Sequence, residues 1–468
     1  MGDVMISKVY YQTVSLCPYC NKTIPGQVVA KDGGVYVVRD CEEHGLIEGL
    51  ASSDIEWFEN LKKFDVEPVR PSQPNREVSL GCPNDCGLCA GHTQSAGTAA
   101  IEISNKCNAN CPVCLANNQS TFELSVNEVR KIVEDFLAKQ KFVDAFTLSG
   151  GEPTIHPEIF EIIELLERPE IARIVLNSNG LRIAEDDAFL EELSKHKNVY
   201  VSLHYDGTGA KTIRGIDFAI QKKAMDRLLK WNIQVAPIAL VAKDINDMEV
   251  GNMVVELLTK SPQIKSVFLS MMAYMGKGGS KFPVDPRARL TIPEALDKIE
   301  KATSGNIKKS DFIPLPMPNP LCASIGYFLI ADNEVTPLVS LLEVDKVIEC
   351  IKNSHFARAG KELEELLRDL INRLYADGSN PNSAKILKKF KNLLLELYPT
   401  NKSISHEERR MIVEEKIKTV YLIQFMDSWT FDSVRLKKCS CQHLLPDDKI
   451  IPSCGYYTYH RQFDTRFN

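Results

Sequence analysis

No stretch of the 468 residues reaches the ~18 uninterrupted apolar residues of a membrane-spanning helix. The N-terminal run MGDVMISKVYYQTV also lacks the apolar core of a signal peptide. The expected setting is therefore cytoplasmic. Charge of one sign is not in excess: 56 Lys and Arg stand against 62 Asp and Glu, a net of -6, with no long block of either sign. Nothing in that balance argues for a nucleic-acid partner, and small molecules, lipids and peptides are left as ligands. The 44% hydrophobic and 25% charged content is ordinary for a globular chain, long enough for one large domain with one or two smaller ones.

What the chain has in quantity is cysteine, 14 residues. In a reducing compartment that number points to metals or redox chemistry rather than disulfides. Cys350 stands alone, as an ordinary buried thiol would. The others bunch into four groups: Cys17, Cys20 and Cys41; Cys82, Cys86 and Cys89; Cys107, Cys111 and Cys114; and Cys322 with Cys439, Cys441 and Cys454. Metal sites are expected to organise the fold.

Between Ala100 and Met272 short apolar runs alternate with helical patterns. The runs begin at Ile101, Phe146, Ile174, Tyr200, Pro237 and Val267, and helical stretches such as Val126 to Leu137, Ile159 to Leu166 and Lys223 to Leu229 fall between them. Strand-helix alternation of this kind favours a parallel sheet with helices outside it, here an open or partial (β/α) barrel. Chemistry in such barrels collects at the C-terminal ends of the strands. Later in the chain, Leu363, Leu366, Leu367, Leu370, Ile371 and Leu374 make one apolar helix face. Ile386, Leu387, Phe390, Leu393, Leu394 and Leu397 make another, across the linker DGSNPNS. This predicts a helical hairpin over 353–400. Its second helix sets Lys385, Lys388, Lys389 and Lys391 beside the apolar stripe, which reads either as a packed hairpin with solvated lysines or as peripheral contact with a membrane surface.

The loop IEISNKCNANCPVCLANN places Cys107, Cys111 and Cys114 in a Cys-x3-Cys-x2-Cys spacing directly after the first strand. Three thiolates on one tight loop can hold three irons of a [4Fe–4S] cluster and leave the fourth iron open. An open iron can chelate the amino and carboxylate groups of S-adenosylmethionine (SAM), whose reductive cleavage gives a 5'-deoxyadenosyl radical. A structural zinc site would instead want four ligands. After the next strand comes Gly150-Gly151-Glu152-Pro153, where two glycines let the backbone approach a ligand and a carboxylate can accept from an ammonium group.

Four further thiolates, Cys322 in PNPLCAS and Cys439, Cys441 and Cys454 in KKCSCQHLLPDDKIIPSC, suit a fully ligated auxiliary [4Fe–4S] cluster, with zinc the alternative. Such a site would tie the tail back across the hairpin and couple metal binding to folding. Near the start, Cys17-Pro-Tyr-Cys20 and Cys41-Glu-Glu-His44 read as a small ribbon with a mononuclear Zn or Fe site. Cys82, Cys86 and Cys89 form another triplet that His92, a shared cysteine or an external ligand must complete.

The cysteine loop and GGEP together resemble the radical SAM superfamily, where they occur on the first two strands of a partial barrel. The resemblance implies an α/β fold: a partial (β/α)6 TIM-like barrel of the radical SAM type at 99–310, a metal-binding N-terminal region at 1–98 and a C-terminal auxiliary-cluster region at 311–468. It implies that Cys107, Cys111 and Cys114 hold the cluster and that Gly150, Gly151, Glu152 and Pro153 bind the methionyl amine. Asn177, Ser178 and Asn179 at the end of the third strand, with Ser202 and His204 at the fourth, would contact SAM or substrate. Many members carry an aromatic residue before the third cysteine, where this chain has Val113. CPYC with CEEHG, CPNDCGLCAGH, PNPLC, and FDSVRLKKC with LLPDDKIIPSCGY resemble the tetraether synthase family, also labelled radical SAM pterin methylases, over nearly the whole chain. That likeness implies radical carbon–carbon coupling of lipid alkyl chains, served by an external ferredoxin- or flavodoxin-like electron donor. Radical methylation of a pterin or other small substrate, and peptide maturation, are the competing expectations.

Overall fold

The computed structural model describes residues 6–74, 76–116, 121–282, 285, 287–356, 361–377 and 381–467. It opens with an antiparallel four-stranded ribbon, β1 (Lys8–Leu16), β2 (Thr23–Lys31), β3 (Gly34–Cys41) and β4 (Gly45–Ser52), paired in sequence order. A loop-rich segment then leads into β5 (Thr98–Ser104), β6 (Ala145–Gly150), β7 (Ile174–Ser178), β8 (Val199–Leu203) and β9 (Gln234–Val235), which run parallel and side by side. Their buried runs are near-continuous because helices cover the outside of the sheet and its other face lines the barrel interior. The first of those helices, Val126–Lys139, starts at a capping box in which Ser125 and Glu128 satisfy each other's backbone N–H.

All six expected strands are present, the one beginning at Pro237 as a single strand, and a further two-residue strand precedes it. Proline has no N–H to give the ladder, so β9 ends at Val235 and the chain resumes as β10 (Ile238–Val241). β10 opens a second sheet with β11 (Ser266–Met271).

The core sheet does not stop at residue 310. β12 (Phe312–Pro314), β13 (Ala323–Ala331) and β14 (Glu334–Pro337) follow, and β15 (Ile417–Gln424) inserts parallel to β11 and antiparallel to β13. At the other edge β16 (Cys441–Leu444) adds in parallel to β5, with β17 (Ile450–Pro452) outside it. The tail thus extends the partial barrel on both sides.

Between β14 and β15 stand four helices, Val344–Ile351, Lys361–Ala376, Pro381–Leu397 and His406–Lys416. The middle two are the expected hairpin, although Gly378, Ser379 and Asn380 of its linker lie outside the described residues. Leu370 and Leu374 meet Leu387, Phe390, Leu393 and Leu397 in one cluster, each side chain contributing about 1.5–3 kcal/mol by its burial. Lys385 and Lys389 both pair with Glu334 on β14, which is the packed-hairpin arrangement. Among the described residues no helix is long and apolar enough to cross a membrane.

Candidate cofactor and metal sites

The two distinctive motifs meet through backbone. Gly151 N donates to Ser104 O at 2.7 Å and Glu152 N to Lys106 O at 2.9 Å, so the loop after β6 is laced to the segment leading into Cys107. A Cβ on Gly151 would lie 1.9 Å from Lys106 O, and one on Gly150, whose φ is +123, would lie 2.1 Å from Ser104 O. Glycine is required at both positions because another backbone, rather than a ligand, passes there.

Glu152 is buried, and burial pushes its carboxyl above the usual range. Its Oε1 accepts from the hydroxyls of Thr154 (2.6 Å) and Ser178 (2.8 Å), and its Oε2 from Asn179 N (2.8 Å). It therefore clamps the end of β7 to the end of β6. Asn179 in turn donates to Asn108 Oδ1 at 2.8 Å, with Cys107 Sγ 3.9 Å away, and Ala109 N points at Cys107 Sγ from 3.4 Å. Donors aimed at a sulfur suit a metal-bound thiolate, whose charge they offset. Pro153 and Ser178 are buried within this clamp, whereas Asn177, Ser202 and His204 face an interior cavity.

Sequence reasoning missed the cation beside the cysteine loop. Arg214 Nε bonds Asp206 Oδ2 at 3.1 Å. Burial works against its charge, but Asp206 first, and then the thiols of Cys111 and Cys114, hold it above the ordinary range. Burial pushes the Cys111 thiol up to about 11 against the pull of Arg214. His204 is lowered to about 3 by burial and then by Arg214, and its buried Nδ1 has no hydrogen-bond partner. The only sequence signal for Arg214 was its position after a strand end, which is too common to single it out.

Cys17, Cys20, Cys41 and His44 come together as the ribbon reading requires. His44 Nδ1 is 3.5 Å from the sulfurs of both Cys17 and Cys41, and the Cys20 and Cys41 sulfurs are 3.9 Å apart. A tetrahedral ion with ordinary Zn–S and Zn–N bonds sets its ligand atoms about 3.5–3.8 Å apart, so the set fits one mononuclear ion. Among the described residues no other group of three or more Cys, His or carboxylate ligands draws within 4.8 Å of one another.

Cys322 lies just before β13 and Cys441 begins β16, so the C-terminal set draws its cysteines from both sheets. Burial first, then Cys454, Cys441 and Cys322, drive the Cys439 thiol well above its usual range, and burial lifts Cys454 to about 12. Metal binding there would discharge those protons. Arg435, fully buried and also unanticipated, reaches this set with Nε 3.1 Å from Cys322 Sγ. The triplet Cys82, Cys86 and Cys89 borders the same region: a contact with Cys82, then burial, then Cys89 and Cys439 raise Cys86 well above its usual range. His92 is turned away from this triplet, its Nε2 held by Cys439 O and Gln442 Nε2, each at 2.9 Å.

A cavity of about 1500 Å³ runs through the barrel. At one end Val113, Leu115, Arg214 and Met275 line it beside the cysteine loop; Ile238, Phe268 and Tyr421 line its middle; and Leu366, Leu370 and Leu393 of the inserted helices line a further limb. Cys322, Cys439, Cys441 and Cys454 open onto it as well.

Residues 101–257 match the radical SAM superfamily, and residues 9–53 match the HMPTM N-terminal zinc ribbon domain. The chain thus carries a radical SAM domain behind an N-terminal zinc ribbon, the make-up of a radical SAM enzyme. Among curated relatives it is similar to 7,8-dihydro-6-hydroxymethylpterin dimethyltransferase of Methanocaldococcus jannaschii, at 27% identity over 96% of this chain and 94% of that protein. It is also similar to GTP 3',8-cyclase of Pasteurella multocida, at 27% identity over 37% of this chain and 54% of that one. The Streptococcus suis SuiB structure bound to S-adenosylmethionine aligns over 45% of this chain and 47% of its own, at 17% identity and a TM-score of 0.38. SAM and a [4Fe–4S] cluster are the cofactors of this superfamily, and the ribbon adds a further metal.

Proposed function

We propose that this enzyme abstracts hydrogen from unactivated C–H bonds of long alkyl chains and joins two such chains, as a lipid-coupling transferase. The single observation carrying this reading is the barrel cavity. At about 1500 Å³ it has room for a long substrate beside the SAM and clusters that would fill part of it, and its exposed wall is more apolar than polar. An alkyl chain offers no acid, base or electrophile for polar catalysis, so a radical route is the chemistry that fits such a lining.

In this reading Cys107, Cys111 and Cys114 hold the reactive cluster. Bound there with SAM, that cluster supplies a one-electron cleavage of the sulfonium that yields a 5'-deoxyadenosyl radical. Arg214 offers a charge-assisted contact to the methionyl carboxylate, and the strand ends ordered by Glu152, Ser178 and Asn179 shape the pocket around the methionyl amine. Asn177, Ser202 and the neutral His204 face substrate or nucleoside. Cys322, Cys439, Cys441 and Cys454 hold an auxiliary cluster against the same cavity, and a ferredoxin- or flavodoxin-like donor supplies electrons from outside. Coupling removes one hydrogen from each chain and consumes two SAM molecules.

The relative from M. jannaschii favours a second reading, methylation of a pterin. A planar polar heterocycle needs convergent donors and acceptors, and Thr147, Asn177, Ser202, His204 and Ser270 on the cavity wall could supply them, so the product decides between the two readings. Anaerobic incubation of the reconstituted enzyme with SAM, a low-potential reductant and either a dialkylglycerol or a reduced pterin decides between them. Coupling gives a joined product lacking two hydrogens, with two 5'-deoxyadenosines per bond formed. A pterin heavier by a methylene, with the lipid untouched, would overturn the proposal.

A further inference from the structure

The C-terminal residues of the chain reach back to the cysteine loop. The short helix Ser453–Thr458 carries Cys454 in its first turn and leads into the turn His460–Phe463, which carries Arg461. The Arg461 side chain is only 12% exposed, and its guanidinium points two ways. Nη1 donates to Glu102 Oε1 at 2.8 Å, and Nη2 donates to Ala116 O at 2.5 Å. Glu102 lies on β5 ahead of Cys107, and Ala116 follows Cys114. One side chain therefore grips the segment bearing all three cysteines at both of its ends. Phe467 closes over the guanidinium, with its ring centre 3.8 Å from Arg461 Cζ.

Glu102 is fully buried, and every group that faces it comes from the C-terminal segment. Besides Arg461 these are Tyr457, whose hydroxyl donates to Oε1 at 3.0 Å, Tyr456, whose hydroxyl is 3.4 Å from Oε2, and His443, whose Nε2 is 3.9 Å from Oε1. Burial lowers His443 to about 4, which leaves it uncharged at neutral pH. Burial also opposes the charge of Glu102, and Arg461 is the largest influence holding its carboxyl below the usual range. An ion pair buried this deeply is a poor means of merely retaining a tail, since apolar packing of the same volume does so without taking two charges out of water. What the guanidinium adds is direction. Its planar fork aims donors at a carboxylate and at a carbonyl together, which the single ammonium of a lysine does not. Gly151 and Glu152 fasten the entrance of the cysteine loop through Ser104 O and Lys106 O, and Arg461 fastens its exit.

We infer that Arg461 is a positioning residue for SAM cleavage: by joining Glu102 to Ala116 it fixes the loop that carries Cys107, Cys111 and Cys114, and it ties that loop to the element bearing Cys454. This requires the radical SAM domain alone and holds for whichever substrate the cavity takes. Because Cys454 and Arg461 belong to one continuous segment, seating the tail at the auxiliary cysteines and seating the SAM loop are a single event.

The test compares reconstituted holoenzyme as wild type, R461K and R461M. The first readout is the change that SAM causes in the electron paramagnetic resonance spectrum of the reduced loop cluster, and the second is the rate of 5'-deoxyadenosine formation at saturating SAM. R461K keeps a charge for Glu102 but loses the fork. It is expected to hold its full iron while the SAM-induced spectral change shrinks and cleavage slows about tenfold, as a slightly misplaced reacting group would make it. R461M should be slower still, and if it fails to fold R461K alone decides. Wild-type spectra and rates in R461K with full iron would overturn the bridge to Ala116. Iron and cleavage lost in strict proportion in R461K, with the remaining loaded enzyme unchanged in spectrum, would also overturn the inference and leave Arg461 a residue that only holds the fold.

Discussion

Arg435 Nε stands 3.1 Å from Cys322 Sγ, and the same guanidinium donates to Gln424 O. Burial opposes its charge, and Cys322 and then Cys454 sustain it. A cation in that position stabilises the more reduced, more negative state of a bound cluster. R435L is therefore expected to lower the midpoint potential of the auxiliary cluster, and R435K to change it less. A redox titration followed by electron paramagnetic resonance measures this, and an unchanged potential in R435L would contradict it.

At the ribbon, a hydrogen bond from His44 is the largest cause holding the Cys41 thiol down at about 6. The lowered value favours the thiolate, hence the metal, above about pH 6, and protons compete for the site as pH falls through that value. Metal release followed colorimetrically against pH should set in only below that value in the wild type, because protons must displace the bound ion. In H44A, which also loses a ligand, release should move to higher pH; a curve unchanged by H44A would rule out His44 as a ligand.

Gly151 gives a third expectation. Because its Cβ would meet Lys106 O at 1.9 Å, G151A should displace the cysteine loop. The anticipated result is loss of about four irons per chain and of 5'-deoxyadenosine formation, with the ribbon metal retained. Full iron content in G151A would mean that the loop tolerates the shift.

Leu370 lines the far limb of the cavity and is 1% exposed. L370W should cost about 1–3 kcal/mol of stability through overpacking and shorten the longest alkyl chain the enzyme accepts. A panel of dialkylglycerols of graded length reports this. An unaltered length profile would place the chains elsewhere.

The parallel core was readable because near-continuous apolar runs alternate with amphipathic segments, and Cys107, Cys111 and Cys114 were readable because their spacing is local. What escaped was set by distance along the chain. β15 and β16 join strands 153 and 343 residues earlier, Thr419 opposite Ser266 and Cys441 opposite Thr98, and no periodicity announces such pairings. The same holds for Arg214 and Arg435, whose meaning lies in burial beside thiols or a cavity. Gly150 and Gly151 were recognised as positions of close approach, yet the partner is the backbone of Ser104 and Lys106.

The placement of β16 also dictates an order of manufacture. Strands β5 to β11 emerge from the ribosome long before residue 441, so the nascent barrel has a persistent open seam along β5. Only once residues 439–454 have been made can Cys439, Cys441 and Cys454 come opposite Cys322, so a site built from all four is completed after the strands it joins.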